Sequence, residues 1–116
     1  METFDISKMI NGWLIGNFTP SVLKTEDFEI AHHKHPANYT GPYHYHKVAT
    51  EYNYIVSGEV WIYLYNDGRK SKQILTPGLG WIVRPGQYFE TYFNKPTDLI
   101  VIKTPSLIGD KFNENH

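Results

Sequence analysis

Apolar and aromatic residues occur in short runs, and each run stops at Gly, Pro, Asn or Asp. Runs this short cannot complete an amphipathic helix, and no stretch carries a sustained 3.6-residue period. The punctuation predicts strands over residues 13–18, 21–24, 27–33, 43–46, 51–56, 59–65, 71–75, 80–83, 88–93 and 99–104, with a loose tail from Pro105. The Asn66-Asp67-Gly68 step between two such runs is a hairpin signal, because Asp-Gly supplies the positive φ angles of a tight turn. About nine or ten short strands without a helix mean an all-β sandwich or a small barrel.

At 116 residues the chain fits one domain that buries a core without covalent staples. Its 41% hydrophobic and 20% charged content is that of a folded globule and argues against disorder. A net charge of −1 offers no footprint for nucleic acid and no polybasic membrane patch. No apolar run approaches the roughly 20 residues that cross a bilayer, and the N-terminal residues lack a signal peptide's pattern. A cytoplasmic protein is the expectation. With no Cys, neither disulfides nor thiolate chemistry are available, and no G-x-S-x-G elbow presents a serine nucleophile.

His44, His46 and Glu51 constrain function most tightly. Residues two apart on a strand share a face, so both imidazoles project side by side. Glu51 returns to that face if the chain bends between Lys47 and Thr50. Two imidazoles and a carboxylate suit one divalent transition metal: Fe, Mn, Zn or Ni.

From His44 onward the spacing is His-x-His, four residues, Glu51, six residues, Gly58. It is similar to the first motif of the cupin superfamily, with Gly41 two residues nearer the His pair than that motif asks. A degenerate second motif follows in Gly80, Pro85, Gly86 and Asn94, with Glu90 where the family carries a third His. The resemblance spans about residues 27–104. It implies a single-domain jelly-roll barrel with the site in its mouth and a metal held by His44, His46, Glu51 and Glu90.

Strand register decides Glu90. If Tyr88, Glu90 and Tyr92 face inward, the site holds two His and two Glu, and Tyr92 reaches the ligand. A one-residue slip puts Phe89 inside and leaves a two-His, one-Glu triad. The spacing to Asn94 favours Glu90 inside. Glu90 and Tyr92 are then the candidate proton-moving groups.

On residues 27–33, Phe28, Ile30 and His32 share a face, taken here as the core side. His32 thus lines the cavity, and His33 and His35 point to solvent. Arg84 and Lys103 are candidate anchors for a substrate carboxylate or phosphate. Trp61 and Trp81 read as scaffold.

The functional expectation is a metal-dependent isomerase, epimerase or lyase acting on a small polar metabolite. Residues 13–18 and 103–111 resemble small cupins of carbohydrate-processing systems, which tilts the substrate toward a sugar or sugar acid. A metal-free sugar-nucleotide epimerase, a non-catalytic sensor and an Fe(II) dioxygenase are the alternatives. A homodimer is expected, because small β-barrels hide exposed edges by pairing.

Overall fold

A computed structural model describes residues 1–113. A 3₁₀ turn at Ile6–Lys8 precedes twelve strands: β1 (Trp13–Gly16), β2 (Leu23–Lys24), β3 (Glu29–His35), β4 (Tyr39–Thr40), β5 (His44–His46), β6 (Thr50–Ser57), β7 (Val60–Asn66), β8 (Arg69–Leu75), β9 (Gly80–Val83), β10 (Tyr88–Phe93), β11 (Thr97–Thr104) and β12 (Lys111–Asn113). One sheet runs β2-β1-β3-β11-β6-β9 and the other β12-β5-β10-β7-β8, with β4 also on β10. The two sheets enclose the core as a jelly roll, so the all-β expectation holds.

The turn residues act as the sequence predicts. Asp67 and Gly68 take φ of 50° and 75°, closing the β7–β8 hairpin. Gly58 joins β6 to β7 at φ 93°, where any Cβ would run into Thr97 and the Pro96 carbonyl.

Strand register places the inner rows. Across β3, β11, β6 and β9, Glu29, Lys103, Glu51 and Val83 stand abreast. The next row is Ala31, Val101, Asn53 and Trp81. Facing them from the second sheet are Val60, Ile62, Phe89 and Phe93, all buried. The apolar part of these rows fills one end of the sandwich, and the polar part lines a chamber at the other.

Two strand faces depart from expectation. On β3 the inward residues are Glu29, Ala31, His33 and His35, leaving Ile30 and His32 outside. The outer face of this sheet is itself apolar, with Tyr54 51%, Ile82 48% and Ile102 37% exposed. Hydrophobicity therefore does not mark the inner side there. On β10, Phe89, Thr91 and Phe93 point inward, and Glu90 and Tyr92 point out. The loose tail is also corrected: residues 105–113 fold back, and β12 pairs with β5.

Candidate metal centre

The short β5 carries His44 and His46 inward, 9% and 1% exposed, with Tyr45 turned the other way. The chain then crosses to the opposite sheet, where β6 presents Glu51, 7% exposed. One ligand atom from each of the three lies within 4.8 Å of the others, the one such group among the described residues.

The crossing loop is held from outside. The Asp110 carboxylate accepts backbone N–H bonds from Lys47 (3.1 Å), Val48 (3.1 Å) and Ala49 (2.8 Å). The Asp110 carbonyl accepts from His46 Nδ1 at 3.0 Å. His44 Nδ1 likewise donates to the Pro42 carbonyl at 2.8 Å. Both rings thereby turn Nε2 inward, the arrangement that backbone carbonyls impose on metal-binding histidines.

His46 Nε2 then meets Glu51 Oε1 at 3.1 Å, and the other Glu51 oxygen accepts from Asn53 Nδ2 at 2.9 Å. With Nδ1 already donating, Nε2 and the carboxylate oxygen face each other as two lone pairs. They repel unless a proton or a cation lies between them.

Electrostatics favours the ligand forms. Burial pulls His44 down to about 4, against the Pro42 hydrogen bond and the Glu51 charge, so it is neutral at pH 7. Burial alone would raise Glu51, but the Asn53 hydrogen bond and the positive charge that a proton or cation places between it and His46 outweigh burial and hold the carboxyl below its ordinary range. The donor set and its outer hydrogen bonds fit a divalent transition metal.

A cavity of about 260 Å³ opens over the triad. His33 lines it, its Nδ1 2.8 Å from the Asn11 carbonyl, and burial lowers its pKa. His35 packs against both Tyr39 (5.1 Å) and Phe93 (4.4 Å) and is lowered to about 4, chiefly by burial. Lys103 reaches the chamber as expected, but its Nζ is 3.0 Å from Glu29. Lys111, which the sequence hid in an apparent tail, also lines it.

Four expected site residues lie elsewhere. Glu90 accepts a 2.7 Å hydrogen bond from Tyr65, and the Tyr92 hydroxyl donates to Asn38 at 2.9 Å, both on the outer face of β10. The position across from His44 belongs to Phe89, ring to ring at 4.2 Å. His32 faces outward, 3.4 Å from Asp98. Arg84 is an exposed residue of the β9–β10 turn, its backbone N–H bonded to Gln87 at 2.7 Å.

No protein-family model and no curated protein matches this sequence. Solved structures do. Oxalate decarboxylase from Bacillus subtilis superposes with a TM-score of 0.68 at 14% identity, over 76% of this chain and 24% of that one. The chain thus spans about a quarter of that enzyme's length, and Mn(II) centres are described in the enzyme. An uncharacterised Klebsiella pneumoniae protein with a double-stranded β-helix domain matches at 0.68 and 20% identity, over 82% of this chain and 81% of its own. The coconut allergen cocosin matches at 0.63 and 18% identity, over 69% of this chain and 22% of that one. The chain therefore shares its fold, a double-stranded β-helix, with these solved structures.

Proposed function

We propose that this cupin binds one divalent transition metal through His44, His46 and Glu51 and acts on a small polar metabolite, a sugar or sugar acid, as an isomerase, epimerase or lyase. The observation that carries the reading is the His46–Glu51 contact, a buried imidazole nitrogen and a buried carboxylate oxygen 3.1 Å apart, aimed at one point by their outer hydrogen bonds. A bound ion supplies Lewis acidity, polarising a carbonyl or hydroxyl oxygen of the ligand.

The chain's own residues do the rest. Phe89, Trp81 and Val101 form apolar walls that exclude water, and Asn53 and Thr91 offer hydrogen bonds to hydroxyls. His33 takes the proton-moving role first assigned to Glu90 and Tyr92. It is neutral, and the Asn11 carbonyl engages Nδ1, which leaves Nε2 as the base. Metal analysis of purified protein tests the reading; about one equivalent of a first-row ion is expected, and none would end it.

The Phe89 position favours a second reading. Three protein donors with no fourth leave open positions, the arrangement of two-His, one-carboxylate Fe(II) oxygenases. Oxygen uptake by the Fe(II)-loaded protein in the presence of a substrate distinguishes the two.

Asp110 organises the site without entering it. An Asp110→Ala variant is expected to stay folded yet bind metal about 10- to 100-fold more weakly, as loss of outer-shell support does elsewhere. Asp110→Asn, which keeps one acceptor oxygen, should fall between. Titration with Zn(II) against a competing chelator reads both; unchanged affinity in Asp110→Ala would remove the residue from this role.

A homodimer through the outer face of the first sheet fits the same picture. Ile30, Ile102, Tyr52 and Ile82 lie abreast there, beside Ile100 and Tyr54, an apolar patch of the kind that marks a protein interface. Light scattering should give twice the chain mass for the native protein and a monomer for Tyr54→Lys/Ile82→Lys. A native monomer at micromolar concentration would exclude it.

A further inference from the structure

We propose that Lys111 is the chamber's anion anchor and that the ligand carries a carboxylate, seated between the Lys111 ammonium and the metal position. The proposal rests on the metal-binding reading above and narrows its substrate class.

The inference starts from charge. Four acidic or basic side chains other than histidine stand in the chamber and its wall: Glu51, Glu29, Lys103 and Lys111. Glu29 and Lys103 satisfy each other at 3.0 Å, and Ser106 Oγ donates to the second Glu29 oxygen at 3.2 Å. Lys103, the cationic anchor expected from the sequence, is therefore already spent. The imidazoles of His33, His35 and His44 are neutral. Glu51 and Lys111 remain, and together they cancel. A divalent ion beside Glu51 then leaves the chamber two positive charges in excess, in a cavity with apolar walls. An anionic ligand relieves that excess, and a neutral one does not.

Strand pairing puts Lys111 where such a ligand would meet it. On β12, Lys111 stands directly opposite His46 of β5, and opposed residues of an antiparallel pair project to the same face. The preceding Asp110 is fixed by its bonds to the β5–β6 loop, so the strand start that aims Lys111 is anchored to the metal loop itself. Among the described residues, no carboxylate lies within ion-pairing distance of Lys111. Burial and the neighbouring Lys103 charge lower its pKa from the ordinary lysine value, and Glu51 opposes them. The cavity's modest volume favours a compact organic acid over a nucleotide.

The test uses acetate as the simplest carboxylate and acetamide as its uncharged counterpart. The protein is loaded with Co(II), and binding is followed through the visible spectrum of the ion. Acetate is expected to perturb the wild-type spectrum saturably. Lys111→Met, which keeps the stem, should weaken acetate at least about tenfold, and Lys111→Arg should remain within a few-fold of wild type. Co(II) content should be equal in all three proteins. Acetamide should not bind, and inorganic phosphate should not displace acetate at equal concentration. Equal acetate affinity in wild type and Lys111→Met, binding of acetamide, preference for phosphate, or no acetate response at all would each overturn the proposal. Failure of the wild type to take up Co(II) is a different result, and overturns the metal reading beneath it.

Discussion

A His44→Ala/His46→Ala variant should purify with no stoichiometric metal, its affinity reduced by more than about 100-fold, since loss of outer-shell support alone costs 10- to 100-fold. Removing both imidazoles leaves Glu51 as a buried carboxylate with Asn53 as its remaining hydrogen-bond donor in this site. An uncompensated buried charge is costly, so the Glu51 pKa should climb above its present lowered position. Elemental analysis beside wild type provides the check. Equal metal in both proteins would mean that the ion, wherever it sits, is not held by these rings. A Glu51→Gln variant completes the comparison: it keeps the shape and the Asn53 neighbour but loses the charge, and should retain little metal.

Phe93→Ala is expected to cost about 3–5 kcal/mol of stability, the usual range for deleting a fully buried aromatic ring. Phe93 is 1% exposed, packs in the core and stacks on His35 at 4.4 Å. The second contact gives the variant a pH signature. In the metal-free protein His35 and His44 are held near 4, against about 6.5 when unfolded. Between those values the unfolded chain binds more protons than the folded one, so stability falls as pH drops. From pH 7 to pH 5 the loss should be on the order of 2 kcal/mol for the two groups together, after allowing for solvent screening at half-buried His35. Phe93→Ala admits water to His35, lets its pKa rise and shrinks its share of that loss. The stability deficit of the variant should therefore be smaller at pH 5 than at pH 7. Urea unfolding in the presence of a chelator measures both; identical deficits would show that Phe93 does not shield the ring.

The His44–His46–Glu51 cluster was legible in the sequence because one strand fixes two of its three members. His44-x-His46 can only present both rings to one face, and a short loop brings Glu51 across. Strands with two plausible inner faces were not legible. On β3, Ile30 shares an apolar outer surface with Ile102, Tyr52 and Ile82. Hydrophobic alternation therefore selected His32 over His33 and His35. On β10 the spacing to Asn94 pointed to Glu90, yet a one-residue difference in register exchanges Glu90 and Tyr92 for Phe89 and Thr91. Lys111 and Asp110 were missed for another reason. Their roles depend on residues 105–113 folding back onto β5, a contact between residues more than sixty positions apart in sequence. Nothing in the local pattern signals it.

The donors come from both sheets, two from β5 and one from β6. An ion seated among them would act as a rivet between the two leaves of the sandwich. It could leave only when the leaves part, so its dissociation rate should follow the breathing of the whole domain and slow sharply on cooling.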